Sequence, residues 1–329
     1  MTWWAWRNVL RRYWPSALAA EGLLGMNRRN AEYLLPLNPR GRYPLVDDKL
    51  KTKQICQSVG IPAPETYWVV RQIGQLRSLV SKLAAYPQFV VKPARGAEGR
   101  GIVVVASQEG PDLRTPSGQP LGWDDLAHHI ANILSGLYAL SGLPDVALVE
   151  QRILPHPAFA DLAVEGTPDV RIVLYRHVPV MAMLRLPTRT SHGRANLHQG
   201  AVGVGVDLTT GRTTGGVCRN RTVNVHPDTG VPLEGHRVPY WQEVLLSAMR
   251  LADQLQLGYL GVDFVLDASV GSVVLEANAR PGLAIQLANR CGLLPRLQWV
   301  EEYLSAHTAS GAVSVEDRLD CLKSLASLK

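Results

Sequence analysis

The sequence has no paired cysteines. Cys56, Cys218, Cys291 and Cys321 are scattered, with no CxxC and no ligand-like spacing to a histidine. That argues against a disulfide scaffold or a zinc ribbon and fits a reduced, cytoplasmic setting. No apolar run approaches the roughly 18 residues a membrane span needs. The N-terminus has no continuous apolar stretch like that of a signal peptide. There is no Gly-Lys-Ser/Thr loop opening a helix, no Ser/His/Asp or Cys/His arrangement, no repeat and no low-complexity segment. Charge of either sign is sparse, with 19% Asp, Glu, Lys and Arg and a net charge of +6. This balance suits a protein that handles phosphates or carboxylates, or a weak nucleic-acid binder without specificity.

The sequence does contain abundant turn formers, 22 Pro and 29 Gly in 329 residues, so short elements joined by tight loops are expected. The length suits two or three subdomains. Residues 1–45 read as a helical extension ending in LLPLNPRGRYP. Its start, TWWAWRNVLRRYWP (2–15), could form an amphipathic helix for a membrane surface or partner, or a helix packing its tryptophans on the protein. A helix is expected from Asp48 to Gly60, then a strand at 66–70, a helix over 73–85 and a strand at 88–91. A strand over 102–106 and a helix over 123–140 precede a strand at 146–150. Two β-rich runs, 169–175 and 178–184, are followed by a Gly- and Arg-rich stretch (185–221) and a helix near 240–255. Strands at 261–267 and 272–278 suggest a hairpin. Helices at 283–291 and 295–307 follow, with 309–329 as a tail or short helix.

Two constellations carry chemistry. In VVKPARGAEGRGIVVV (90–105), Lys92 ends a buried strand and Gly96, Gly99 and Gly101 lead to another. Glycines let backbone N–H groups approach phosphate oxygens, and the lysine adds fixed charge, although a plain hairpin loop would read the same way. The order G-x-x-G-x-G before a strand is not a dinucleotide fingerprint. In GVDFVLDASVGSVVLEANARPG, Glu276 and Asn278 share one strand face, and Asp263 lies on the preceding strand. Three oxygen donors on one face suit Mg²⁺, and an unpaired charge inside an apolar strand would be costly.

The segments VDDKLKTKQICQSVGIPAPET, FVVKPARGAEGRGI, ALVEQRI, DVRIVL, GRANLHQG, GVDFVLD and VLEANARPGL, in this order over residues 46–283, resemble the ATP-grasp superfamily, in detail its RimK-like glutamate-ligase branch. The resemblance implies an α+β fold of two lobes closing on ATP. An N-lobe over 46–150 would carry the phosphate loop, and a C-lobe over 151–308 the metal and substrate site. By the same resemblance Lys49 and Lys92 contact the ATP phosphates and 96–101 is the lid. Glu150, Gln151 and Ile153 form the adenine-reading hinge, Asp169 meets the ribose, and Asp263, Glu276 and Asn278 hold Mg²⁺ (two ions, with Mn²⁺ as an alternative).

Arg185, Arg194 and Asn196 are candidates at the reacting centre, in a loop that also holds Arg189, His192 and His198. Arg194 and Asn196 best match the family's R-x-N pattern, and His198 reads as structural. Arg171 and Arg280 are candidates for an acidic substrate, since arginine forks suit carboxylates. The implied activity is carboxylate–amine ligation through an acylphosphate, with a small carboxylate such as glutamate and an amine as substrates. The same motifs would serve a small-molecule kinase or an ATP-binding scaffold without turnover. Two departures stand out. Only 48 residues precede Lys49 where the family carries a Rossmann-like domain, so a partner protein, second subunit or membrane surface is expected to complete the site. The family's NASPG appears as NARPG (278–282), which places Arg280 beside the metal candidates.

Overall fold

The computed structural model describes residues 15–96, 99–110, 112–139, 142–307 and 313–325. The strands are β1 (Thr66–Val70), β2 (Phe89–Pro93), β3 (Val103–Val105), β4 (Ser107–Glu109), β5 (Asp112–Arg114), β6 (Pro120–Leu121) and β7 (Ala147–Glu150) in the smaller lobe. The larger lobe contains β8 (Asp169–Tyr175), β9 (Val178–Leu186), β10 (Val202–Val206), β11 (Thr213–Cys218), β12 (Arg221–Val223), β13 (Tyr259–Asp267) and β14 (Gly271–Asn278). They form a four-stranded sheet in the order β1-β7-β2-β3, a three-stranded sheet β4-β5-β6, and a seven-stranded sheet β12-β11-β10-β9-β8-β13-β14. Every pairing in them is antiparallel.

Alternation along each strand decides which face is buried against what. In the small sheet Phe89, Val91, Val105, Ala147 and Val149 pack on Leu126, Ile130 and Ile133 of the Trp123–Leu134 helix, which leaves Val90, Lys92, Leu148 and Glu150 on the opposite face. In the large sheet Ile172, Leu174, Leu184, Val262 and Phe264 meet the Trp241–Leu255 helix, whose Val244, Ala248, Leu251, Ala252 and Leu255 repeat at three to four residues. The other face buries Val173, Tyr175, Met181, Met183 and Tyr259 under Ile285, Leu297, Val300 and Leu304.

Several elements differ from the sequence-based expectation. The helix expected to reach residue 140 stops at Leu134, because Gly136 turns the chain with φ 84° and a Cβ there would lie 2.3 Å from the Leu143 carbonyl. The Gly- and Arg-rich stretch 185–221 holds strands that were not expected: β9 ends at Leu186, and after a loop over 187–201 come β10, β11 and the start of β12. Of the two readings of 309–329, the short helix is the one found: Val315–Leu325, whose buried Arg318 forks onto Asp253 at 2.8 and 2.9 Å.

The Lys49–Ser58 helix, expected in the smaller lobe, packs on the larger one. Val46, Cys56 and Ile61 belong to the core of the large sheet, and Val274 N–H donates to the Pro62 carbonyl at 2.9 Å. Asp48 caps its start by accepting from Leu50 N–H at 3.0 Å, and Gly60 ends it at φ 68°.

The preceding segment is likewise fastened to the larger lobe. The Gln286 amide bonds both the N–H and the carbonyl of Leu24, at 2.8 and 3.1 Å. Arg29 donates to the Pro281 carbonyl at 2.8 Å. Buried Asn38 donates to the carbonyls of Tyr259 (2.7 Å) and Ala279 (3.2 Å) and accepts from Tyr259 N–H at 2.9 Å. The expected Trp- and Arg-rich helix of residues 2–15 lies almost wholly outside the described residues. No helix among them is long and apolar enough to cross a membrane.

Asn38→Ala would leave three buried backbone groups without partners, so unfolding free energy is expected to fall by about 3 kcal/mol, read from the midpoint of a urea titration.

Candidate functional site

The large sheet carries a row of charge across one face. Asp169 of β8 pairs in register with Arg185 of β9, Arg171 of β8 with Asp263 of β13, and Asp263 with Glu276 of β14. Along β8 the same face continues as Val173 and Tyr175, so the charged end adjoins the apolar packing described above. Arg171 forks onto Asp263, Nε to Oδ1 at 2.7 Å and Nη2 to Oδ2 at 2.5 Å. Arg185 forks onto Asp169, with Nη2–Oδ2 at 2.7 Å, and its Nη2 also donates to Asp263 Oδ2 at 2.8 Å.

Burial pushes Asp263 up, but Arg171 and Arg185 together hold it well below the usual carboxylate range. At Asp169 burial prevails over Arg185 and, with the like charge of Asp263, pushes the group up to about 7. The two carboxylates share Arg185 and titrate as a unit in which Asp263 keeps its charge. Arg185 is held firmly protonated, the burial cost being outweighed by Asp169 and then Asp263.

Cations from both lobes meet beside this row. Glu150, on β7 beside Val90, is buried between two lysines: Lys92 on Oε1 and Lys53 on Oε2 at 2.6 Å. Lys53 also donates to Thr66 Oγ1 at 2.7 Å. Lys49 stands one helical turn before Lys53, so both lysines project from one side of the Lys49–Ser58 helix. Lys49 Nζ donates to the Gly96 carbonyl at 2.6 Å and lies 3.4 Å from Glu276 Oε2. The glycine loop is shaped by close packing: a Cβ at Gly96 would sit 2.3 Å from Pro93, and one at Gly101 (φ 73°) would sit 2.6 Å from the Tyr138 ring. His129 bonds the Gly101 carbonyl at 2.9 Å. On the far side, a Cβ at Gly99 would lie 3.8 Å from Arg194 Cδ, so the loop reaches the exposed Arg194 of the larger lobe.

The structure thus brings together Lys49, Gly96, Glu276 and Asn278, and places Lys92 with Glu150. Asn278 donates to Glu276 Oε1 and Asp263 Oδ2, both at 3.3 Å. Several residues predicted for the site are bonded to one another. Asp263, expected as a metal ligand, is 1% exposed and gives both oxygens to arginines. Asp169, expected at the ribose, spends its carboxylate on Arg185. Arg171 and Arg185, expected at substrate and reacting centre, are turned into the sheet onto those acids.

Glu150 serves two lysines with its side chain, and Gln151 N–H donates to the Glu65 carbonyl at 2.8 Å, extending the β1–β7 pairing. Ile153 is half-buried beyond it. Asn196 caps the short turn at Leu197–Gln199, accepting from His198 N–H at 3.0 Å, and Arg194 reaches Gln199 at 3.2 Å. Arg280 is exposed and sits over the Tyr43 ring at 4.9 Å. Among the described residues no group of three or more His, Cys, Asp or Glu could hold a metal ion. Glu276 with the amide oxygen of Asn278 would hold Mg²⁺ only with substrate oxygens completing the shell, as is common for that ion. Sequence reasoning missed Lys53, although its four-residue spacing from Lys49 was a visible signal.

Arg185→Ala would leave two buried carboxylates sharing Arg171, a loss expected to cost about 3–5 kcal/mol in a thermal or urea melt. Arg185→Lys is expected to recover little of it, since a single ammonium cannot fork onto Asp169 while bonding Asp263.

The family described as sugar-transfer associated ATP-grasp matches residues 28–302. No curated protein matches the chain. Among solved structures, D-cycloserine synthetase DcsG is 15% identical, with 82% of this chain and 73% of that one covered and a TM-score of 0.47. ATP-grasp ligase PsnB in complex with a minimal precursor is 15% identical at a TM-score of 0.43, covering 81% of this chain, which spans 63% of that one. D-alanyl-alanine synthetase A from Vibrio cholerae O1 biovar eltor str. N16961 is 14% identical, over 88% and 67% of the two chains, with a TM-score of 0.45. None of these likenesses bears on what this chain binds. The family match, by contrast, runs through every strand of both lobes, and the chain belongs to the sugar-transfer associated ATP-grasp family, with the ATP-grasp fold.

Proposed function

We propose that this chain is an ATP- and Mg²⁺-dependent ligase that joins a carboxylate to an amine through an acylphosphate. The observation that carries the reading is Lys49, whose one ammonium touches the Gly96 carbonyl of the glycine loop and faces Glu276 across the cleft. A phosphate chain laid there meets backbone N–H groups, Lys49 and Lys92 on one side and an acid–amide pair on the other. Glu276 and Asn278 would hold Mg²⁺, which supplies charge neutralisation at the transferring phosphoryl group. Adenine would lie against the hinge at 150–153, where Ile153 and the backbone remain for it, since the Glu150 side chain is taken by lysines.

The chemistry then needs position and charge more than a side-chain nucleophile. An oxygen of the substrate carboxylate attacks the γ-phosphorus of ATP and ADP leaves, giving an acylphosphate. The amine attacks the acyl carbon, phosphate departs with the electron pair, and the amine proton is lost to solvent. Arg194 is exposed at the far end of the glycine loop, in position to meet the charge that develops on the acyl oxygen. Arg280, exposed two residues after Asn278, supports an acidic substrate, for which glutamate is the simplest choice. Asp169, Arg171, Arg185 and Asp263 act as the rigid floor under the metal pair. The family's association with sugar transfer brings sugar-borne carboxylates and amines into the candidate substrates.

The test is release of ADP and phosphate from ATP and Mg²⁺ across a matrix of amino acids, amino sugars and uronic acids. ADP formation that requires one acid and one amine, and yields an amide, supports the ligase. Glu276→Ala is expected to lower that rate at least about 10²-fold, as is typical when a charge-stabilising group is lost. Phosphate found on the acceptor without an amide would make it a kinase. No turnover, together with no ATP-dependent thermal shift, sinks the enzyme reading.

A further inference from the structure

A buried carboxylate with two lysines is over-supplied with positive charge by one. Glu150 has that arrangement: Lys92 bonds Oε1 from β2, Lys53 bonds Oε2 at 2.6 Å, and all three side chains are nearly inaccessible, at 7% or less. The lysines have different supports. Lys92 ends a strand of the small sheet, two residues before the chain turns into the glycine loop. Lys53 sits on the Lys49–Ser58 helix, whose apolar side is part of the larger lobe's core, and its ammonium is also held by Thr66 Oγ1 at 2.7 Å. Burial draws the Lys53 ammonium below its ordinary range while Glu150 opposes that pull, so the pair depends on staying together.

Lys92 is the lysine expected at the nucleotide phosphates, yet as the structure stands it is bonded to Glu150. For it to turn to a phosphate, Glu150 must give it up. A buried carboxylate losing its sole cation would resist strongly. One that keeps a second cation need not.

We propose that Lys53 is a positioning residue that retains the charge of Glu150 when Lys92 leaves it for the phosphate of a bound nucleoside triphosphate. This rests on the ATP reading above. Lys53 does not touch the nucleotide; it sets the fraction of protein in which Lys92 is available. Removing it ties Lys92 to Glu150 as that group's remaining counter-ion, and the apparent affinity falls by the lost fraction. Removing the negative charge of Glu150 as well makes the loss of Lys53 immaterial.

The experiment is titration calorimetry with Mg²⁺ and a non-hydrolysable ATP analogue on wild type, Lys53→Met, Glu150→Gln, the double variant, Lys53→Arg and Lys92→Ala. The expected result is a Kd raised about 10-fold in Lys53→Met through the lowered available fraction. The double variant should return to within about 3-fold of wild type, the signature of two coupled residues. Lys53→Arg, which keeps a cation on Glu150, should stay near wild type. A folded Lys53→Met that binds as tightly as wild type overturns the proposal, showing the pair to be structural. A double variant as weak as the single one also overturns it, since Lys53 would then act on the phosphate directly. If Lys53→Met does not fold, the comparison of Glu150→Gln with the double variant decides: equal affinities support the proposal, and a weaker double variant overturns it. Wild type without affinity, or Lys92→Ala with unchanged affinity, removes the nucleotide reading itself and the proposal with it.

Discussion

A carboxylate in the middle of a sheet, with 1% of its surface open, holds its charge through the groups that face it. Asp263 is that carboxylate, and the strands around it are matched to the need. Arg171 comes from one strand over and Arg185 from two, and the positive charge they leave in excess of Asp263 is met by Asp169. The row occupies three adjacent strands of the large sheet, so each charge is placed by backbone register instead of by loop conformation. Glu276 and Asn278, on the next strand, inherit that rigidity.

The second constraint is that the cleft between the lobes collects cations. Lys49, Lys53 and Lys92 all approach it, with Glu150 and Glu276 as the carboxylates that bond or face them. Such a region holds spare positive charge at a place where the backbone of the glycine loop also offers donors. An anion with several oxygens is the natural complement.

Much of this was legible in the sequence and some of it was not, for physical reasons. Strands that alternate cleanly, such as DVRIVLY and GVDFVLD, declare both their conformation and their polar face. β10 and β11 were hidden because Gly203, Gly205, Gly215 and Gly216 replace the β-branched residues that mark a strand. The fold requires these glycines: a Cβ at Gly205 would come within 2.8 Å of the Ala288 carbonyl. Composition therefore left this stretch without an assigned strand, because close packing had removed the signal.

The acids and arginines of the site were visible as residues. Their pairing was not, because register between strands distant in sequence cannot be read from spacing. Asp263 and Asp169 consequently look like ligand contacts in the sequence, while the structure bonds both to arginines. The helix at 49–58 was also legible, but its periodicity identifies an apolar face without naming the lobe that covers it.

That last ambiguity has a mechanical side. The helix is bolted to one lobe by Cys56 and its neighbours, while two of its lysines reach across to the other, Lys49 to Gly96 and Lys53 to Glu150. A hinge motion between the lobes would stretch both contacts together, like two spokes of one wheel. The positive potential inside the cleft is therefore not a fixed property of the sequence. It would change with the angle between the lobes, since Lys49 and Lys53 ride on one lobe while Gly96 and Glu150 belong to the other.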